Sequence, residues 1–154
     1  MIDESIPQDL RLPFFGQWVT AYFDHKDVEK RDLDTLSWVV PATDRAPTIF
    51  NIPSQDLEEM VAYGPDAISD LPFLFHFANQ LKASYRKALY DSETFKVFPH
   101  LKITYLCANK TCAFAYAGIW ALQDDEKAIQ GPRKFNYKWF NGGNHLVRCV
   151  FLFK

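Results

Sequence analysis

The chain has 154 residues, a net charge of -2 and an isoelectric point near 6.1, with 48% hydrophobic and 16% aromatic residues. This length suits one ordinary domain with a sizeable core, and the composition excludes a disordered chain. The absence of a basic surplus argues against nucleic acid as a partner.

Helices and loops are predicted for the first half of the chain. Apolar residues recur at three- and four-residue steps from Phe14 to Phe23, which predicts a short helix with one wide apolar face. Residues 28–47 contain two prolines and are predicted to form a loop. Ser54 is the expected N-cap of a short helix that extends to about Tyr63, where a Gly-Pro pair ends it.

The second half is predicted to contain a strand, a helix and a strand. The longest helix comes before them, at residues 71–90, with Asp70 as its N-cap. "HLKITYLCA" is the clearest strand, and "TCAFAYAGIWALQDDEKAIQ" is a helix closed by Gly131. "RKFNYKWF" alternates aromatic with polar residues, which predicts a second strand with one solvated face. A strand–helix–strand unit predicts that the two strands are parallel. Parallel strands need neighbours in a larger sheet, and only the final "LVRCVFLF" offers a further strand.

The segment after the second strand carries a glycine pair and His145, in the sequence "GGNHLV" at residues 142–147. This order of elements resembles the C-terminal part of an α/β-hydrolase-fold protein. The resemblance implies an α/β fold in which His145 is the catalytic base. It also implies one partial domain over residues 1–154, with a lid-like helical region at 9–90 and the strand–helix–strand part at 99–154. The implied ancestral activity is hydrolysis of small or hydrophobic ester- or amide-type substrates.

The nucleophile of that family is missing from this chain. The family places it in a Gly-x-Ser-x-Gly elbow. No serine of the chain has glycine at both of the positions that this motif requires. The serines are Ser5, Ser37, Ser54, Ser69, Ser84 and Ser92. The acid is also unassigned, because "ANKT" at residues 108–111 stands where the family commonly has Gly-x-x-Asp, and an acid after an earlier strand would be Asp3 or Glu4. We therefore expect a chain that is truncated relative to the fold and inactive alone.

Two alternatives remain open. In the first, the chain is a non-catalytic module that binds apolar ligands or partners through its aromatic helices, and His145 is an ordinary turn histidine. In the second, the chain is an independent small α+β domain with its own apolar pocket and several long antiparallel strands.

Other reactive side chains have more common structural interpretations. His25 lies beside Asp24 and Asp27, which suggests a metal site, but such a loop histidine is usually solvated. His76 falls within the long predicted helix and is expected at the edge of the core. Cys112 lies near a helix N-terminus, where a thiol gains thiolate character, although a buried cysteine is the commoner case. We predict no cofactor and no metal.

A cytoplasmic location is expected. The three cysteines, Cys107, Cys112 and Cys149, do not make a disulfide framework. The N-terminal residues lack the features of a signal peptide, and no stretch approaches the ~20 apolar residues of a membrane span. The expected partners are a small apolar substrate or ligand and, through an exposed sheet edge, further copies of the chain.

Overall fold

The computed structural model describes residues 5–61 and 76–146. Within these residues the helices and strands are α1 (Gln8–Val19), α2 (Ser54–Met60), α3 (Ala78–Tyr90), α4 (Ser92–Val97), β1 (Ile103–Ala108), α5 (Ala113–Ile129) and β2 (Phe135–Phe140). Short 3₁₀ turns occupy Val28–Lys30, Leu33–Thr35 and Thr48–Asn51. The strands β1 and β2 form one parallel sheet. The structure is thus a mixture of helix and strand that is broadly α/β, as predicted.

The chain divides into two compact units that are each built from separate stretches. Unit 1 comprises Met1–Val61, Leu106–Trp120 and Lys138–Lys154, and unit 2 comprises Ala62–Tyr105 and Ala121–Tyr137. The elements β1, α5 and β2 each contribute residues to both units. The lid-like role of residues 9–90 stays a prediction.

The core of unit 1 gathers around the first turns of α5. One buried cluster consists of Leu36, Ala113, Tyr116 and Trp120, and a second consists of Ala21, Phe23 and Cys112. Trp38 packs against the first cluster and Trp18 against the second. Burial of these apolar side chains is the main favourable contribution to the folding of this unit.

Backbone hydrogen bonds connect residues 20–23 to the turns that follow the strands. The amide of Phe23 donates to the carbonyl oxygen of Lys110 at 2.9 Å, and the amide of Lys110 donates to Gly143 at 2.9 Å. The amide of Asn109 donates to the carbonyl oxygen of Phe140 at 3.0 Å. These bonds place the turn after β1 between the first segment of the chain and the turn after β2.

Unit 2 is organised around aromatic rings and one carboxylate. The ring of Phe135 makes edge contacts with Tyr90 and Tyr105, at centroid distances of 5.3 and 5.7 Å. The rings of Tyr105 and Tyr137 stack at 5.5 Å. Glu126 of α5 accepts a hydrogen bond from the Tyr137 hydroxyl at 3.1 Å and another from the Phe135 amide at 3.3 Å.

The end of α4 is closed by a buried arginine. Arg133 is only 4% exposed. Its Nη1 donates to the carbonyl oxygen of Leu101 at 2.5 Å, and its Nη2 donates to Phe98 at 3.2 Å. The guanidinium also lies over the ring of Phe95. Phe98 is the C-cap of α4, so the guanidinium adds a donor at the helix end, where the Leu101 amide also donates to the Phe98 carbonyl oxygen at 3.2 Å.

The boundaries of several predicted helices are wrong. The helix α1 ends at Val19, and Phe23 lies beyond it in the segment that pairs with Lys110. None of the α1 residues is fully buried, and the predicted apolar face meets the core through the partly buried ring of Trp18. Ser54 is the first residue of α2 instead of its N-cap.

The longest predicted helix is described from residue 76 onward. Phe77 precedes the first residue of α3, and residues 70–75 of the prediction lie outside the described residues. At the end of α5, Gln130 adopts the left-handed conformation, with a φ of 49°. The predicted helix therefore closes one residue before Gly131. The predicted strands are confirmed as β1 and β2.

Candidate functional site

His145 lies in the loop after β2, and its side chain is exposed. The imidazole forms no hydrogen bond with any residue in the described ranges. A hydrolase base needs an acid within hydrogen-bond reach to orient its ring, and no carboxylate of the described residues makes that contact. Thr111, which stands at the expected place of the acid, is buried. The alternative acids, Asp3 and Glu4, lie outside the described residues.

The neighbouring residue Asn144 anchors this loop. Its side chain is fully buried, and its Nδ2 donates to the carbonyl oxygen of Thr20 and to the hydroxyl of Thr48. Its Oδ1 accepts a hydrogen bond from the Leu146 amide at 3.0 Å. The sequence pattern predicts a functional role for His145, whereas the hydrogen bonds of Asn144 hold the backbone of the loop.

The two glycines before Asn144 allow a close approach of the backbone. Gly142 has a φ of 77°, and its carbonyl oxygen accepts a hydrogen bond from Arg45 at 2.7 Å. A Cβ on Gly143 would lie 2.7 Å from the Cε1 of Phe140 and 3.2 Å from the Cβ of Ala108. Any other side chain at Gly143 would therefore collide with its neighbours.

Four aromatic residues of unit 1 form a continuous set of ring contacts, which we call the aromatic surface: Phe15, Trp18, Trp38 and Phe114. The ring of Phe114 lies 5.9 Å from Trp18 and 5.2 Å from Trp38. The ring of Phe15 lies 6.1 Å from Trp18. Phe114 is 64% exposed, although it belongs to the first turn of α5, whose other face is buried.

The loop that carries Trp38 adds further exposed apolar groups. Val39 and Val40 are 75% and 70% exposed, and Leu33 is also exposed. The Nε1 of Trp38 donates to the carbonyl oxygen of Leu33 at 3.0 Å. Large contiguous patches of exposed apolar groups mark interaction sites on protein surfaces, whereas single exposed apolar residues are common. The sequence predicted an aromatic helix that contains Phe15 and Trp18, but its contacts with Trp38 and Phe114 were missed. A signal was available, because Phe114 does not belong to the buried spacing of Ala113, Tyr116 and Trp120.

His25 is half-buried and uses both ring nitrogens, so the interpretation as a solvated loop histidine is wrong. The Ser37 amide donates to its Nδ1 at 3.0 Å, and its Nε2 lies 2.8 Å from the carbonyl oxygen of Thr111. A backbone amide can only donate, so Nδ1 carries no proton and Nε2 is the donor to Thr111. Burial lowers the pKa of His25, against the opposing effects of the Thr111 carbonyl and Asp24.

The remaining candidate groups have structural partners. Asp24 forms an ion pair with Lys110, and Asp27 accepts a hydrogen bond from the Glu29 amide at 3.2 Å. Within the described residues, no group of three or more His, Cys, Asp and Glu side chains could hold a metal ion.

Both described cysteines are buried and His76 is exposed. Cys112 lies in the core with Phe23, which agrees with its structural interpretation. Burial raises the pKa of Cys107 to about 11, so this thiol is unreactive at neutral pH. Cys149 lies outside the described residues. His76, at the start of the α3 region, is exposed and does not lie at the core edge.

Over residues 5–61 and 76–146, no helix has both the length and the apolar character that a membrane crossing requires. The same residues contain no long antiparallel strands of the kind that the α+β alternative requires. Comparisons of the chain with protein-family models, curated proteins and solved structures found no match.

Proposed function

We propose that this chain is a non-catalytic binding module that holds a small apolar ligand on the aromatic surface of unit 1. The observation that carries the proposal is the continuous contact of four rings, of which Phe114 is 64% exposed. Aromatic rings offer a large apolar area with few rotatable bonds, so they bind at a low entropic cost.

Buried residues of unit 1 hold the two tryptophans of the aromatic surface in place. Trp18 contacts the fully buried ring of Phe23 at a centroid distance of 5.5 Å, and Trp38 packs against the cluster that contains Tyr116. The indole hydrogen bond from Trp38 to Leu33 fixes the second tryptophan further. A preorganised surface loses little conformational freedom when a ligand arrives.

The proposal is tested by binding of Nile red, an uncharged apolar dye whose fluorescence rises in apolar surroundings. We expect Phe114→Ala to weaken binding roughly tenfold, because truncation of a central aromatic residue removes about 1–2 kcal/mol of binding free energy. The matched control is Phe50→Ala, which removes a ring that is 60% exposed in the same unit but outside the aromatic surface. Equal dye affinity of both variants and the original chain would contradict the proposal.

A second candidate is the hydrolase-related function, in which His145 is the base and another polypeptide supplies the nucleophile. The observation in its favour is the exposed imidazole on a loop held by Asn144 and Arg45 after the second of two parallel strands. On this proposal the chain alone is inactive. Its ancestral substrates are small or hydrophobic esters and amides.

The test of the second candidate mixes the chain with a fragment that carries a Gly-x-Ser-x-Gly elbow and measures hydrolysis of a para-nitrophenyl ester. We expect activity with the original chain and with His100→Ala, which changes an exposed histidine elsewhere. We expect none with His145→Ala. Absence of any restored activity, or full activity of His145→Ala, would count against this candidate.

A further inference from the structure

His25 connects two segments that lie far apart in the sequence. The Ser37 amide donates to its Nδ1 at 3.0 Å, and its Nε2 donates to the carbonyl oxygen of Thr111 at 2.8 Å. The ring lies parallel to Phe23 at a centroid distance of 6.3 Å and meets the edge of Tyr116 at 4.8 Å. The imidazole is thus fixed in position and in tautomer by its surroundings.

The segment held by His25 is the one that supplies Trp38 to the aromatic surface. Ser37 directly precedes Trp38, and the Ser37 hydroxyl donates to the carbonyl oxygen of Val40 at 2.6 Å. Residues 37–40 therefore form one hydrogen-bonded turn, which the Ser37 amide connects to His25 and the Trp38 indole connects to Leu33. Phe114 touches this turn through the ring of Trp38.

A proton on Nδ1 would convert the acceptor of this bond into a donor. Two N–H groups would then face each other, and the Ser37 amide would lose its partner. The charged groups that act on the ring oppose each other, since Asp24 favours the protonated imidazole and Lys110 disfavours it. Tyr116, at the ring edge, stays neutral because burial raises its pKa to about 12. Burial of the imidazole is the largest effect on its pKa, which it lowers.

We propose that protonation of His25 breaks its bond to Ser37, frees residues 37–40 and removes Trp38 from the aromatic surface. Acid then releases the apolar ligand from unit 1. The release of the ligand rests on the proposed function, whereas the release of the segment does not. We call the bond between His25 and the Ser37 amide the latch, and it is closed while the imidazole is neutral.

The test follows the imidazole and the Ser37 amide by nuclear magnetic resonance while the pH is lowered, with Nile red binding measured in parallel. We expect Nδ1 of His25 to lack a proton at neutral pH. The Ser37 amide should lose its protection from hydrogen exchange with the same midpoint as the imidazole titration. Dye affinity should fall about tenfold for each pH unit below that midpoint, as expected for a single titrating group.

The variant His25→Gln provides the decisive comparison. Its amide oxygen can accept from Ser37 and its amide nitrogen can donate to Thr111, but it cannot be protonated. We expect this variant to keep the Ser37 bond in acid, and the control His100→Gln to retain the pH response. Unchanged Ser37 protection in the acidified original chain would overturn the latch, as would an equal pH response in His25→Gln.

The two proposals fail in different ways. Nile red that binds equally with and without Phe114 would refute the proposed function, and the Ser37 amide would still decide the latch. Dye binding that depends on Phe114 but not on pH would refute ligand release. If His25→Gln does not fold, the joint titration of the imidazole and the Ser37 amide in the original chain decides the question.

Discussion

The Nδ2 of Asn144 donates a hydrogen bond to the Oγ1 of Thr48, although 96 residues separate them in the chain. The same amide donates to the carbonyl oxygen of Thr20. Both acceptor residues are buried, at 3% and 1% exposure for Thr20 and Thr48. Buried polar groups without partners destabilise the folded state. The Asn144 amide supplies a hydrogen bond to two such groups, the Thr20 carbonyl oxygen and the Thr48 hydroxyl.

Replacement of Asn144 by Ala is therefore expected to destabilise unit 1. The variant removes the donor to the Thr48 hydroxyl and one of the two donors to the Thr20 carbonyl oxygen, which keeps the Thr48 amide, and we expect the free energy of unfolding to fall by about 2–4 kcal/mol. Urea unfolding followed by tryptophan fluorescence measures the change. The control Asn141→Ala alters an exposed residue of the same loop and should stay within about 0.5 kcal/mol. A similar small effect for both variants would show that the Asn144 bonds contribute nothing.

Two glycine-to-alanine substitutions should have opposite effects. Gly143→Ala places a Cβ against the ring of Phe140 and the Cβ of Ala108, and we expect a loss of about 1–3 kcal/mol. Gly118→Ala adds a methyl group in α5 with nothing within 4 Å, and we expect a gain of about 0.5–1 kcal/mol from helix propensity. Thermal unfolding of the pair checks the prediction. Equal melting temperatures would mean that the turn after β2 adjusts freely.

Stability should decrease in mild acid because of His25. Burial lowers its pKa in the folded chain below the ordinary value of 6.5, so the unfolded chain binds the proton more readily. The contribution of the neutral imidazole to the free energy of unfolding is thus fully present above pH 6.5. It is lost as the pH falls from 6.5 through the lower pKa of the folded state. Urea midpoints measured across this window should decline in the original chain and in the control His76→Gln, which changes an exposed histidine. A decline of the same size in His25→Gln would refute the assignment.

The tyrosines of unit 2 should make the chain sensitive to alkali. Burial and the hydrogen bond to Glu126 raise the pKa of Tyr137 above its ordinary value of 10, and burial raises the pKa of Tyr105 as well. A raised pKa means stability that is present below pH 10 and lost as the pH rises above it.

The variant Tyr137→Phe tests this effect directly. We expect it to lose about 1 kcal/mol at neutral pH, because it gives up one hydrogen bond, and to show a weaker decline of stability above pH 10. The control Tyr85→Phe keeps its ring contact with Tyr90 and removes a hydroxyl elsewhere in the unit. Chemical unfolding at neutral pH and above pH 10 gives the free energy of unfolding of each variant. If this free energy declines above pH 10 as much in Tyr137→Phe as in the original chain, the prediction is contradicted.

Local patterns were sufficient to predict the strands and α5. The alternation of Phe135, Tyr137 and Trp139 with polar residues marks β2, and the apolar spacing from Ala113 marks α5. The extent of α1 could not be read in this way. Phe23 continues the helical spacing, but its amide pairs with Lys110, and a hydrogen bond across 87 residues leaves no trace in a local window.

The candidate site depends even more on contacts between distant residues. The sequence around His25 shows two nearby aspartates and suggests a solvated loop, because Ser37 and Thr111 are not adjacent to it in the chain. Trp38 and Phe114 likewise come together only in the folded unit. His145 was predicted to lie in the loop after the second strand and does so, whereas its catalytic role stays a prediction.

Unit 1 is assembled from three stretches of the chain, and the bond from Asn144 to Thr20 spans 124 residues. A ribosome adds about 5–20 residues per second, so Thr20 waits on the order of ten seconds for its partner. For most of this interval Phe15 and Trp18, and then Trp38, are present without Phe114. Contacts so remote in sequence also slow folding after synthesis, because a large loop must close before they form. The aromatic side chains of residues 15–38 therefore stay without their folded surroundings until synthesis has passed Phe114 and the loop after β2.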